Sequence, residues 1–154
     1  GDGETGCVMH NMSEDDVKYF MTKPYAVFGS DGNSVSPTGV YKNDKPHPRF
    51  YGTFPRILGR YVRDESVISL PEAVHKMTGA PAQRLGLADR GVIASGNVAD
   101  IVVLDPDTVA DQATFNDPQR YPVGIPHVFV AGEPVIMDGK HTGARPGRVL
   151  RRGE

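Results

Sequence analysis

"YAVFGSDGN", Tyr25 to Asn33, runs from four consecutive apolar residues into a Ser-Asp pair with a glycine on either side. An apolar run without alternation, bounded by Pro24 and Gly29, predicts a short strand buried on both faces, as in a parallel sheet. In such sheets the carboxyl ends of the strands face the ligand site, so a polar residue standing there carries chemistry. Asp31 has that place. Gly29 and Gly32 would let backbone or ligand come close, and Ser30 has a hydroxyl to offer a ligand or a neighbouring loop. A second reading fits equally well: Asp31 closes an Asx-turn after the strand. Three residues do not choose between them.

Before this stretch, Ser13-Glu14-Asp15-Asp16 has the form of a helix start, with Ser13 as N-cap and Asp16 in the place of the usual Glu or Gln. Val17, Phe20 and Met21 follow at helical spacing, Met12 and Val17 are placed as a hydrophobic staple, and Lys23-Pro24 ends the helix. One helix feeding one buried strand is half of an α/β repeat, so the fold class predicted here is α/β.

After it, residues 30 to 53 are rich in Gly, Pro, Asn and Asp, a long loop of the kind that carries function in a compact domain. Helical spacing returns with Phe54, Ile57, Leu58, Tyr61 and Val62. Ser69-Leu70-Pro71-Glu72 is a capping box opening a further helix to Gly79, and Pro81 starts a short one closed by Gly86. Beyond Gly91 the pattern becomes strand-like. Val92-Ile93, Ala99 to Leu104, His127 to Val130 and Pro134 to Met137 are the predicted strands, the last two joined through Ala131-Gly132-Glu133 as a hairpin with a bulge.

The 154 residues carry 17 Lys and Arg against 19 Asp and Glu. With no basic block except that from Arg148 to Arg152, the footprint of a nucleic-acid binder is missing. The longest apolar runs, such as Ile101 to Leu104, fall far short of the roughly 20 residues needed to cross a bilayer. Cys7 is the single cysteine, which rules out an intrachain disulfide and makes a reducing, cytoplasmic setting the default expectation. The chain opens on Gly1 without a methionine or a signal-peptide pattern, as a piece of something longer would.

The five histidines form no metal motif. Cys7 and His10 have half-site spacing only. His47 lies between two prolines in Lys45-Pro46-His47-Pro48-Arg49; a backbone held extended there could aim His47 and Arg49 inward, or leave both on a surface loop. His75 reads as solvent-facing, and His127 and His141 as structural residues at a strand edge and a turn. Asp100 and Asp105 bracket a strand more than about 10 Å long, too far apart to share a small substrate. No glycine-rich phosphate loop follows any strand.

The segments "GSDG" (29 to 32) and "HPRFYGTFPR" (47 to 56), with "KMTGAPAQRLGLADRG" (76 to 91), "VADIVVLD" (98 to 105) and "GEPVIMDG" (132 to 139), resemble the carboxy-terminal part of the D-aminoacylases. These are the N-acyl-D-amino-acid deacylases of the amidohydrolase superfamily, and the resemblance runs from about Met12 to Arg151. It implies the end of a metal-dependent (β/α)8 TIM barrel over residues 1 to 90, then a small β-sandwich-type segment over 91 to 154. It implies zinc as cofactor and a small N-acyl-D-amino acid as partner. Asp31 matches the aspartate that is a ligand or close neighbour of the zinc and the proton shuttle. Ser30, His47 and Arg49 become candidate substrate-binding residues, Arg49 forking to a substrate carboxylate.

A full barrel takes about 250 residues, whereas only 30 precede Asp31. The family's H-x-H, its metal-binding cysteine and its two middle-strand histidines have no counterparts here, and Cys7 precedes the wrong strand. The chain is therefore expected to be inactive alone and to need an upstream barrel segment, or to self-associate through open strand edges. Two other functions remain open, an amidohydrolase of cyclic amides such as hydantoins or dihydropyrimidines and a non-catalytic association module.

Overall fold

A computed structural model describes residues 9–151. Helices come first. Helix α1 is Glu14–Met21, capped by Ser13, whose Oγ accepts the Asp16 N–H at 3.3 Å. Three acidic residues in its first turn suit the positive end of the helix dipole. Met12 stays exposed, so the expected staple is not made; Val17 turns to the core instead.

The segment after α1 departs from expectation. Residues 25 to 28 form no strand. Their backbone is tied at single points, by Ala26 N–H to the Lys23 carbonyl and Phe28 N–H to the Lys76 carbonyl. Apolar composition makes a segment fit to be a strand, but a strand exists only where a neighbour supplies the ladder, and among the described residues none lies beside it. Tyr25 is left 77% exposed, whereas Phe28 packs on the core.

Helix α2, Arg49–Arg56, begins inside the stretch expected to be loop. Pro48 has φ −53° and ψ −25°: it opens the helix rather than holding the chain extended, since a missing N–H costs nothing at a helix start. Pro55 sits within the helix, which runs on as a wider, π-type helix over Ile57–Asp64. Helix α3, Leu70–Met77, is capped by Ser69 as read from its capping box, and α4, Gly79–Leu85, starts two residues before Pro81 and stops at left-handed Gly86.

The core lies between α1, the π segment, α3 and the loop at Val109: Met21, Ile57, Leu58, Tyr61, Ile68, Ala73 and Val109 are buried together. Close approach of that loop depends on Gly59. A Cβ there would stand 2.6 Å from the Val109 carbonyl oxygen.

The carboxy-terminal part is one antiparallel sheet in the order β1-β2-β3-β4: Ile101–Val103, His127–Val130, Glu133–Met137 and Lys140–His141. Among the described residues there is no parallel pairing, no second facing sheet and no closed barrel. Val92-Ile93 is a bend rather than a strand, and its side chains are exposed. The β2–β3 turn is the pair Ala131-Gly132 (φ 51° and 82°), and Glu133 is already in β3; the irregularity of the ladder falls instead at Val128/Phe129. Asp138-Gly139 (φ 49° and 73°) makes a second two-residue turn of the same sign, placing His141 in β4 rather than in a turn. Arg90 pairs with Asp100, whose other oxygen takes the Ala131 N–H at 2.8 Å, joining the helical part to the first hairpin.

Candidate functional site

Ser30 and Asp31 lie in the irregular segment that follows α1, and the first turn of α2 comes to meet them. Ser30 Oγ accepts the Gly32 N–H at 3.2 Å, so the local turn is closed by the serine. The Asp31 carboxylate is not used in an Asx-turn. Its backbone is left-handed (φ 49°) and its side chain is 88% exposed.

Arg49 grips this residue twice. Its Nε donates to the Asp31 carbonyl at 3.0 Å, and Nη2 lies 2.9 Å from Asp31 Oδ2. So exposed an ion pair contributes at most about 1 kcal/mol, yet the two bonds fix direction: a guanidinium fork is rigid and planar. His47 is tied to the same residue, its Nδ1 accepting the Arg49 N–H at 3.0 Å. That bond puts the proton of the neutral ring on Nε2. Burial, helped by Arg49 and by His10, holds the His47 pKa below the ordinary histidine value, against the pull of Asp31. The loop residue Phe115 lies edge-on to both imidazoles, with ring centroids 5.1 Å from His47 and 4.8 Å from His10.

Ser30, Asp31, His47 and Arg49 are thus gathered at one place, through backbone as much as side-chain bonds. Chemically it offers an accessible carboxylate able to take and return a proton, a cation suited to a carboxylate ligand, and a neutral imidazole with a free N–H. Phe115 was not found from sequence. It lies in a turn-rich run closed by Thr114 and Asp117, where no periodicity marks a residue as inward. The buried Lys76, 2% exposed, was missed too.

A zinc ion takes three or four N, S or O ligands. Among the described residues no three His, Cys, Asp or Glu side chains converge in that way, and Asp31 already faces a guanidinium. The described residues do not make a zinc site by themselves. Cys7 lies outside them; His10 is engaged with Phe115. A surface depression of about 450 Å³ beside α3 and α4 is lined by His75, Gln83, Leu87 and Arg90 among others, and by none of the four gathered residues.

A model of the amidohydrolase family matches residues 11–136. The chain belongs to the amidohydrolase family. It is 45% identical over 147 residues to the D-aminoacylase of Alcaligenes xylosoxydans xylosoxydans, an alignment covering 96% of this chain and 29% of that protein. A crystal structure of D-aminoacylase superposes with a TM-score of 0.83 at 45% identity, over 92% of this chain and 28% of the other. The N-acyl-D-glutamate deacylase of Bordetella bronchiseptica, solved with zinc and a phosphonate inhibitor mimicking the tetrahedral intermediate, gives 0.77 at 45% identity, over 91% and 28%. The chain spans less than a third of the length of these relatives, and its fold is part of the amidohydrolase fold. None of the helices among the described residues is long and apolar enough to cross a membrane.

Proposed function

We propose that the protein carrying this chain hydrolyses the linear amide bond of N-acyl-D-amino acids, giving a D-amino acid and a carboxylate. The observation that carries the proposal is the exposed Asp31 carboxylate, left free by the Ser30 turn and held by Arg49 from another element. Likeness to the linear-amide deacylases over 96% of the chain supports it over a cyclic-amide reaction.

In this reading Asp31 takes a proton from the attacking water and returns it to the leaving amine nitrogen, so that one carboxylate serves as base and then as acid. Arg49 exchanges Asp31 Oδ2 for the carboxylate of the substrate, a bidentate partner for its fork. The Nε2–H of His47 and the hydroxyl of Ser30 are further donors to the substrate. Zinc is the metal we assign to the whole protein, beside Asp31 and with its other ligands from outside the described residues. Residues 1 to 90 then form the end of a (β/α)8 barrel and 91 to 154 its small β segment. The barrel would be completed by an upstream segment, or its open edge covered by self-association. A single cysteine fits a cytoplasmic enzyme.

The test is hydrolysis by the complete protein, read as substrate consumed and ring-opened or deacylated product formed by chromatography, of N-acetyl-D-leucine, its L enantiomer and hydantoin, with and without Asp31→Asn. Activity is expected on the D-amide alone, and the variant, which cannot accept the proton, loses about 10²-fold or more. Retention of activity within a few-fold by Asp31→Asn, or preference for hydantoin, would overturn the reading.

A further inference from the structure

We propose that Lys76 is the positioning residue for Asp31, acting through the segment that connects them. Lys76 is the one charged residue buried among the described residues, at 2% exposure on α3. An ammonium has three protons to place, and burial is costly unless each finds an acceptor. Here the acceptors are the carbonyl of Met21, the carbonyl of Lys23 at 2.7 Å and Glu72 Oε1 at 3.3 Å, one turn earlier on α3.

What these acceptors belong to gives Lys76 its role. Met21 and Lys23 are the end of α1 and the point where the chain departs from it toward Asp31. The Lys76 main chain takes part as well, its carbonyl accepting the Phe28 N–H at 3.2 Å. The irregular segment from Pro24 to Asp31, without a strand beside it, is therefore held at its start by the ammonium of Lys76, midway by the carbonyl of Lys76 and at its end by Arg49. Phe28 and Asp31 are three residues apart, at most about 11 Å of chain, so a displacement at Phe28 passes on to the carboxylate. A misplacement of about 1 Å costs on the order of 10²-fold in rate where a reacting group must be aligned. The role rests on the assignment of Asp31 made above, but the geometry can be tested without it.

The experiment is nuclear magnetic resonance on the complete protein, selectively labelled at the residues read, following hydrogen exchange at the Phe28 amide and at Arg49 Nε–H, with no substrate added. In Lys76→Met, which keeps the apolar stem, both protons are expected to exchange at least tenfold faster, while the Gly139 and Thr142 amides, bonded within the carboxy-terminal sheet to the Pro126 and Val135 carbonyls, keep their protection. Lys76→Arg, with a cation still in reach of both carbonyls, should recover most of the Phe28 protection. Ile68→Ala is the control for loss of core stability alone. Unchanged exchange at Arg49 Nε–H in a folded Lys76→Met overturns the proposal, as does a uniform loss of protection matching Ile68→Ala. Should Lys76→Met not fold, Lys76→Gln, retaining one donor, replaces it with the same two outcomes. A negative result here leaves the Asp31→Asn assay untouched, and the reverse also holds.

Discussion

Replacing Gly59 by alanine adds one methyl at the tightest contact between the helical part and the loop that carries Phe115. The new Cβ would stand 2.6 Å from the Val109 carbonyl oxygen and 3.4 Å from Ala110 Cα. Backbone has to yield, because Val109 is 1% exposed and its carbonyl also accepts Arg63 Nη1 at 2.7 Å. Overpacking of a full core costs about 1–3 kcal/mol. Weakening a hydrogen bond from a charged donor adds up to about 1.5–3 kcal/mol. Against this, alanine is the better helix former by about 0.5–1 kcal/mol. The net expectation is a loss of about 2 kcal/mol. With a urea dependence of about 1–3 kcal/mol per molar, the midpoint seen by circular dichroism should fall by roughly 1 M. The displaced loop should also draw Phe115 away from His47, weakening the ring-current shift of the imidazole protons. A midpoint unchanged or raised in Gly59→Ala would refute the reasoning, for it would mean that propensity outweighs the contact.

Ser69→Ala removes the cap of α3, leaving the Glu72 N–H without its 3.3 Å partner; a loss of about 1 kcal/mol is expected in the same denaturation assay, with Ser69→Asp restoring it. His47 gives a pH signature. Because burial, Arg49 and His10 depress its pKa, its contribution to stability is complete above the unfolded value of about 6.5 and is lost as pH falls through the lower folded value. The melting temperature should therefore drop more steeply below about pH 6.5 in the native chain than in His47→Gln, and equal slopes by calorimetry would count against it.

The features that could be read from sequence are those settled within a few residues. Ser13 and Ser69 cap helices because an N-cap and its bond to the third helical residue form a local rule, and Gly86 stops α4 for the same reason. Ile101 to Val103 and His127 to Val130 are strands that find each other within the chain. The run from Tyr25 to Phe28 has the same composition and is not a strand, because pairing is decided by a neighbour and not by the run itself. The site divides in the same way. Asp31, His47 and Arg49, expected as site residues from the family resemblance, lie together in the fold, although the backbone expected to be extended through Pro48 starts a helix there instead. Lys76 was not legible, since a lysine beside an exposed histidine on a helix looks solvated until the end of α1 is seen lying over it.

Pitch, as distinct from composition, governs what the chain tolerates along Ile57–Asp64. The π winding closes with bonds five residues back, as from the Glu65 N–H to the Arg60 carbonyl at 2.8 Å, and so accommodates an extra residue relative to an α-helix. Deleting one residue within it would let the segment tighten to an α-helix, shifting the residues of the segment itself round the helix axis. Tyr61, which donates to Glu14 at 2.7 Å, and Arg60, 3.0 Å from the same carboxylate, would swing off α1 together. Conservative exchanges of single side chains along this helix leave its count of residues intact; an insertion or deletion of one does not, and it is the count that keeps α1 docked.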